Sequence, residues 1–209
     1  LFIGVLLILT ENLLRRAGRR TSRRRFVGAV GVIVLLPTLG MAGWAGALQL
    51  VGNIHTVEPG RLYRSAQLDG PGFANVIQTY GIRTVLNLRG ENRGQGWYDD
   101  EIAAAKAAGV DHFDIAMSAR EEPNATKLRR LMTILQTAPQ PILVHCQSGS
   151  DRTGLASALF ELDVMGKPEA EAEEQLSFFY GHFPWLGSRT VAMDRTFEQI
   201  AAARAGEAP

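Results

Sequence analysis

The feature that most limits how this chain can fold is a run without charged residues at positions 26–48 (FVGAVGVIVLLPTLGMAGWAGAL). A helix needs about 20 apolar residues to cross a bilayer, so this run is long enough to span one. Pro37 and the glycines would weaken a soluble helix, but a membrane helix tolerates them. We therefore predict a transmembrane helix, acting as an anchor or signal anchor, over residues 26–50.

Charge is divided sharply between the two parts of the chain. Residues 1–50 hold seven arginines and one acid, Glu11, which is a net charge of +6, whereas the whole chain carries +1. The arginines lie just before the apolar run, and the positive-inside rule keeps such a flank in the cytoplasm. We expect a basic cytoplasmic segment at residues 1–25, and a body of charge −5 on the other side of the membrane. The acidic body argues against a nucleic-acid partner.

Two other interpretations of the apolar run remain open. Ala45, Gly46 and Ala47 are typical of a signal-peptidase site, although the run exceeds the usual apolar region of about 7 to 15 residues in a cleaved signal. A buried helix of a soluble protein is the second alternative. Residues 1–9 (LFIGVLLIL) are also apolar and the first residue is not Met, which favours either a shortened sequence or the tail of an earlier span.

Strand and helix patterns alternate from His55 onward. We predict short extended pieces around Pro59-Gly60, then strands at 62–65, 82–88, 110–117 and 141–145, and helices at 73–80, 97–108, 127–136, 153–164, 169–179 and 190–203. Asn124 is a plausible N-cap of the third of these helices. This alternation predicts an α/β fold, with a central, mostly parallel sheet flanked by helices, in one domain at residues 53–209.

One stretch, VHCQSGSDRTG at residues 144–154, carries the chemistry. An apolar strand enters a tight loop at 146–152, and a helix follows. Backbone N–H groups in such a loop point inward, and the helix dipole adds partial positive charge, so the loop can hold a dianion. Gly149 lets the backbone approach closely. We expect the phosphate ligands to be Gln147, Ser148, Gly149, Ser150, Asp151 and Arg152.

Cys146 is the only cysteine, so no intramolecular disulfide forms and the thiol is either inert or kept for chemistry. The field of the loop lowers its pKa and predicts a thiolate nucleophile. Arg152 supplies a planar fork for two phosphate oxygens, and Thr153 can donate its hydroxyl to the sulfur as it leaves. A chance match to this spacing around a given cysteine has a probability on the order of 10⁻⁶ at average residue usage.

The pattern H-C-x5-R-[ST] resembles the signature of the Cys-based protein tyrosine and dual-specificity phosphatases. NIHTVEPGRLYRSAQ, GIRTVLNLRG and HCQSGSDRTGLASA are similar to small bacterial dual-specificity-type enzymes, including biofilm-related tyrosine phosphatases, that are exported to the periplasm. The resemblance covers most of residues 53–200. It implies a phosphoric monoester hydrolase, without metal or cofactor, in which Cys146 forms a cysteinyl phosphate and Arg152 clamps the phosphate. It also implies an inner-membrane, single-pass protein with a periplasmic catalytic domain.

The sequence offers several candidates for the general acid. The family usually takes it from a loop after the preceding strand, here DIAMSAREEP at 114–123, where Ala119 stands at the expected Asp. Asp151 is favoured, because an Asp before the signature Arg resembles myotubularin-like lipid phosphatases and a secreted mycobacterial phosphatase. Glu121 and Asp114 are the alternatives, and Glu122 is expected to be an ordinary surface residue.

Several other side chains complete the expected site. Arg64 and Arg89 match family positions near the pocket and are expected to widen a funnel for anionic substrates, with exposed salt-bridge arginines as the alternative. His145 is expected to orient the loop, and His182 to be structural. Trp97, Tyr98, Phe178 and Phe179 are expected in the core at helical spacing.

The residues of the loop also bear on substrate and on rival functions. Gln147, Ser148 and Ser150 are neutral, which favours a single phosphate, as on phosphotyrosine in a protein, over a polyphosphorylated inositol ring. Membrane tethering and Asp151 favour the alternative, a phosphoinositide or other lipid phosphate. A sulfurtransferase or a non-catalytic anion-binding module is disfavoured by Arg and Thr at positions six and seven after the cysteine.

Overall fold

A computed structural model describes residues 23–185 and 188–207, and these fall into two compact units that divide between Ala45 and Gly46. The predicted basic segment before residue 23 and the apolar residues 1–9 lie outside the described residues. The first unit contains most of helix α1, Arg23–Leu50. Residues Gly31–Leu50 are long and apolar enough to cross a membrane, and only 6% of that window is buried.

The second unit is built on a five-stranded sheet in the order β1-β2-β5-β3-β4. The strands are β1 His55–Glu58, β2 Leu62–Ser65, β3 Thr84–Asn87, β4 Asp111–Asp114 and β5 Ile142–His145. Only β1 runs antiparallel to its neighbour, and β2, β5, β3 and β4 are parallel. The register sets Ser65 and Asn87 on either side of His145, so the carboxyl ends of three strands meet where the 146–152 loop begins.

Helices cover both faces of the sheet. They are α2 Gly70–Tyr80, α3 Gly96–Ala108, α4 Ala125–Thr137, α5 Asp151–Leu159, α6 Glu169–Glu173 and α7 Val191–Glu207. A π-helical turn, Phe160–Val164, continues α5, and two 3₁₀ turns, Glu174–Leu176 and Phe178–Tyr180, follow α6. The predicted cap of α4 is confirmed, because the Asn124 side chain accepts a hydrogen bond from the Lys127 N–H.

Alternating strand residues build two apolar layers, as the period of two in a strand requires. One layer packs α4, α5 and α7 against the sheet, and includes Leu62, Leu86, Val144, Leu131, Leu155 and Phe197. The other packs α2 against the opposite face, and includes Tyr63, Val85, Leu143, Phe73 and Val76. The predicted α/β architecture, with a mostly parallel sheet between helices, is confirmed.

Two predicted elements differ from the structure. The helix expected over 169–179 breaks, because Ser177 adopts an extended conformation (φ −117°, ψ 163°) between the two 3₁₀ turns. Phe178 and Phe179 therefore lose the helical spacing that would have buried them, and they are 36% and 52% exposed. The strand expected over 110–117 covers only Asp111–Asp114, because its partner β3 ends at Asn87.

Candidate active site

The 146–152 loop turns its carbonyl groups outward, toward donors that lie outside the loop. The donors are Gln67 N–H to the Gln147 carbonyl (3.1 Å), Gln49 Nε2 and Asn53 Nδ2 to Ser148 (both 3.0 Å), Arg64 Nη2 to Gly149 (2.8 Å) and Gly154 N–H to Ser150 (2.7 Å). In a planar trans peptide the next N–H points away from the carbonyl. The N–H groups of residues 148–151 therefore face the inside of the loop, where an anion can accept them.

Gly149 is required by the strand behind it. Its φ is +71°, a region that L side chains rarely adopt. A Cβ at this position would also lie 2.7 Å from the Ala66 nitrogen and 2.8 Å from the Ser65 oxygen. The end of β2 therefore leaves room for a glycine and for no other residue.

Arg64 lies behind the loop rather than in an open funnel, which corrects the prediction. Its side chain is fully buried, and it donates from Nη1 to the Gln175 carbonyl (2.9 Å) and side chain (2.7 Å), and from Nη2 to the Gly149 carbonyl. Its guanidinium also covers the Tyr180 ring at 3.8 Å. Burial lowers the pKa of Arg64 to about 10, so the group stays charged at neutral pH and braces the loop.

Cys146 directly follows the last residue of β5, and 1% of its surface is exposed. Burial opposes ionisation of the thiol. The Arg152 charge, the Thr153 hydroxyl and the backbone N–H groups of Thr153 and Gly149 outweigh that effect and lower the pKa of Cys146. The Thr153 hydroxyl has no oxygen or nitrogen partner among the described residues, which leaves it for the sulfur.

Arg152 spans the ends of two neighbouring elements. Its Nη1 donates to the Leu88 carbonyl (3.2 Å), just after β3, and to the Met117 carbonyl (3.1 Å), in the segment after β4. Its buried Nε has no partner in the described part of the chain. A guanidinium held at one end with a free N–H at the other suits a clamp on an oxyanion.

A buried carboxylate that the sequence analysis missed holds His145. Glu101 is fully buried, and its Oε1 lies 3.0 Å from His145 Nε2 and 2.7 Å from His112 Nε2. Burial alone would raise the pKa of Glu101, but hydrogen bonds from the two histidines and Gln67 lower it to about 2. The sequence feature that could have revealed Glu101 is its place on the buried face of α3, which it shares with Tyr98 and Ala105. A carboxylate on a buried face needs hydrogen-bond partners.

Arg89 lies near Arg152 and Cys146. Its Nη1 donates to Gln67 Oε1 (3.0 Å), and its guanidinium lies 3.5 Å from the centre of the Trp97 ring. The pKa of Arg89 is lowered by burial and by the nearby charge of Arg152, while Cys146 acts in the opposite direction. Arg89 therefore lies within the electrostatic field of both the nucleophile and the clamp.

Asp151, the first residue of α5, belongs to a chain of three ionisable side chains. Its Oδ1 accepts a hydrogen bond from His182 Nδ1 (2.7 Å), and His182 Nε2 lies 3.0 Å from Asp194 Oδ2. His182 is fully buried. Burial opposes its protonation, but the two carboxylates outweigh burial and raise the pKa of His182 to about 9. His182 is therefore an imidazolium at neutral pH.

The other two candidate acids lie elsewhere. Asp114 is engaged at the β3–β4 end, where it accepts hydrogen bonds from Tyr98 Oη and Asn87 Nδ2 (both 2.7 Å). Glu121 is exposed and lines a cleft of about 580 Å³ between its own loop and the start of α7. Of the three candidates, Asp151 alone is part of the loop.

Part of the chain is similar in sequence to known phosphatases. The chain is 30% identical over 135 residues to the dual specificity protein phosphatase TpbA of Pseudomonas aeruginosa, which is 64% of this chain and 57% of that protein. It therefore spans a little more than half of that relative. It is also 29% identical over 100 residues to the inositol diphosphatase SIW14 of Saccharomyces cerevisiae, which is 46% of this chain and 34% of that protein.

Solved structures share the fold. The crystal structure of P. aeruginosa TpbA has a TM-score of 0.55 at 24% identity, over 73% of this chain and 91% of that one. The structure of PTPMT1 has a TM-score of 0.55 at 18% identity, over 74% of this chain and 99% of that one. The model of the tyrosine phosphatase family matches residues 46–177, which include the whole loop. The chain belongs to the tyrosine phosphatase family.

Proposed function

We propose that the protein is a phosphoric monoester hydrolase of the tyrosine and dual-specificity type, acting through a cysteinyl phosphate. The observation that carries the proposal is the loop itself. Its carbonyls are bonded outward, which leaves the N–H groups of 148–151 for a phosphate, and the thiol inside it has a lowered pKa. Nucleophile, anion cradle and clamp thus lie within one short segment.

In the first step the Cys146 sulfur attacks phosphorus, and a sulfur–phosphorus bond forms as the ester oxygen–phosphorus bond breaks. The loop N–H groups and Arg152 stabilise the charge on the remaining phosphoryl oxygens. In the second step water attacks phosphorus, the sulfur–phosphorus bond breaks, and the thiolate and inorganic phosphate are released. Thr153 hydrogen-bonds the sulfur each time it carries charge.

We assign the proton transfers to Asp151. His182 donates a hydrogen bond to Oδ1, and the proton that goes to the departing ester oxygen is carried on Oδ2. The resulting carboxylate takes a proton from the attacking water in the second step, which restores the acid. The distance between His182 and Asp151 supports this role, because the contact fixes the carboxyl group against the loop. Glu121 remains the second candidate, in the exposed cleft beside α7.

The preferred substrate is a phosphorylated protein, with phosphotyrosine as the phosphate carrier. The neutral side chains of Gln147, Ser148 and Ser150 support recognition of one phosphate. A TpbA variant has been solved in complex with phosphotyrosine, and PTPMT1 with PI(5)P, so relatives support both a protein and a lipid substrate. A lipid phosphate is the second candidate, favoured by the apolar helix α1.

The full chain in detergent micelles tests both the chemistry and the substrate. We expect phosphate release from a phosphotyrosine peptide in the presence of a metal chelator, no turnover of thiosulfate, and loss of nearly all hydrolysis with retained phosphate binding in Cys146→Ser. Undiminished hydrolysis in that variant would contradict the mechanism. A kcat/KM for phosphoinositides in micelles above about tenfold that for the peptide, or roughly 1.4 kcal/mol, would make the lipid the preferred substrate.

We also propose that residues 26–50 anchor the protein in the inner membrane as a single span, with 1–25 in the cytoplasm and the catalytic domain, 53–209, in the periplasm. The exposed apolar side chains of α1, such as Leu35 and Leu39, support a lipid environment. A reporter fused after Pro209 that functions only outside the cytoplasm is expected to be active. Activity of a cytoplasmic reporter at that position would contradict the orientation.

A further inference from the structure

Residues 178–185 (FFYGHFPW), here named the aromatic turn, present an unusual concentration of rings at the surface. The exposed fractions are 36% for Phe178, 52% for Phe179 and 54% for Trp185. The rings pack on one another, with Phe178 stacked on Trp185 at 6.3 Å and edge-on to Phe183 at 4.7 Å. The aromatic turn is therefore a formed apolar surface, of the kind that marks a membrane or protein contact.

The aromatic turn contacts residues 48–53, at the end of α1 and just after it. Asn53 Nδ2 donates to the Tyr180 carbonyl (2.9 Å), and a Cβ added to Gly181 would lie 3.3 Å from Leu48 Cδ1. Leu48 itself is 5% exposed. The end of α1 and the aromatic turn thus pack together within the second unit.

The same segment, residues 48–53, also contacts the 146–152 loop, here named the catalytic loop. The side chains of Gln49 and Asn53 both donate to the Ser148 carbonyl at 3.0 Å. Beside them, Leu50 and Val51 are 90% and 68% exposed. Exposed apolar side chains therefore lie both at the end of α1 and in the aromatic turn, and Asn53 is hydrogen-bonded to both the aromatic turn and the catalytic loop.

The length of the apolar helix locates this surface relative to a bilayer. The apolar run ends at Leu48, and helical residues rise by about 1.5 Å each, so residues 48–53 lie within about 10 Å of the edge of a hydrocarbon core that holds the run. The headgroup layer on each side of that core is about 5 to 8 Å thick. Tryptophan and tyrosine favour this layer, because one end of each ring is apolar and the other forms hydrogen bonds.

We propose that the aromatic turn, with Leu50 and Val51, lies in the headgroup layer of the membrane and holds the catalytic loop beside the bilayer surface. This inference rests on the proposed membrane anchoring of α1. The occupant of the apolar surface is the lipid headgroup region and not a protein, because Leu50 and Val51 come directly at the end of a helix that is long and apolar enough to cross a bilayer.

The test uses spin labels on the full chain in vesicles of phosphatidylethanolamine and phosphatidylglycerol. Cys146→Ser removes the native thiol, and single cysteines are placed by Phe179→Cys and Trp185→Cys in the aromatic turn. Leu36→Cys reports on α1, and Ala107→Cys, on the exposed side of α3, is the matched control. Power saturation then compares collisions with oxygen, which concentrates in lipid, and with a water-soluble nickel chelate.

We expect the ratio of oxygen to nickel accessibility at positions 179 and 185 to exceed that at 107 and to fall below that at 36. If position 36 is in lipid while the accessibility ratios at 179 and 185 equal the ratio at 107, the membrane anchor is supported and the inference about the aromatic turn is wrong. If position 36 is itself in water, both the anchor and the inference are wrong. Because the Trp185 ring packs on Phe178, the label at 179 provides a second reading that does not disturb that stack.

Discussion

His182 Nδ1 lies 2.7 Å from Asp151 Oδ1, and the far side of the same imidazole contacts Asp194 on α7. His182 lies 31 residues after Asp151 and 12 before Asp194, so one buried ring connects the catalytic loop to α7. The two carboxylates keep the ring protonated at neutral pH, since its pKa is raised to about 9. The contact constrains the carboxyl group that we propose as the proton donor.

The first prediction concerns this contact. His182→Gln retains a hydrogen-bonding side chain but loses the positive charge. Charge-assisted hydrogen bonds contribute about 1.5–3 kcal/mol, so we expect kcat to fall about 10- to 100-fold. The loss should be larger for an alkyl phosphate than for an aryl phosphate, because an alkoxide needs a proton more than a phenolate does. Equal losses on both substrates would indicate a structural role only, and Asp194→Asn, which leaves Asp151 paired, is the control.

The second prediction is a dependence of stability on pH. The pKa of His182 is raised from 6.5 to about 9 on folding, so its contribution is complete below about pH 6.5 and is lost as the pH rises through 9. We expect the difference in unfolding free energy between wild type and His182→Gln to shrink by about 3 kcal/mol across that range. Urea unfolding of the full chain in micelles measures it. Parallel pH curves for the two proteins would contradict the charge assigned to His182.

The third prediction concerns the nucleophile. Because the pKa of Cys146 is lowered from 9.0, with Arg152 as the main stabilising charge, alkylation by iodoacetamide should have its midpoint below pH 9. Arg152→Ala should move the midpoint upward. Arg152→Lys keeps the charge but not the fork, so it should leave the midpoint near the wild-type value while kcat falls. An unchanged midpoint in Arg152→Ala would show that the thiolate is stabilised by something else.

The fourth prediction compares two glycines with similar backbone conformations. Gly149→Ala forces a Cβ against the Ser65 and Ala66 backbone at 2.7–2.8 Å, so we expect the loop to shift and kcat/KM to fall at least about 100-fold. Gly94 has φ +81° with nothing within 4 Å, so Gly94→Ala should cost only about 1–2 kcal/mol of stability and leave kcat/KM unchanged. Similar kinetics for the two variants would mean that the contact with β2 does not shape the loop.

The sequence predicts the parts of the site that are local and misses those that come from far away in the chain. The segment 144–154 has its strand, loop and helix in one continuous stretch, so its form follows from neighbouring residues. The braces from Gln49, Arg64 and Glu101 bridge 99, 85 and 44 residues, which no local pattern can register. The resemblance places Arg64 near a funnel because it matches a family position, but buried carbonyl groups provide its partners instead.

The outward carbonyl contacts also mean that the loop holds its shape before any substrate arrives. Fixing the backbone of a residue costs about 1–2 kcal/mol of conformational entropy, and here that cost is met during folding. Substrate binding energy is then available for the transition state rather than for ordering the loop. Inorganic phosphate can bind the same preformed loop without any cost of ordering it. An enzyme built in this way is therefore open to inhibition by its own product when phosphate is abundant.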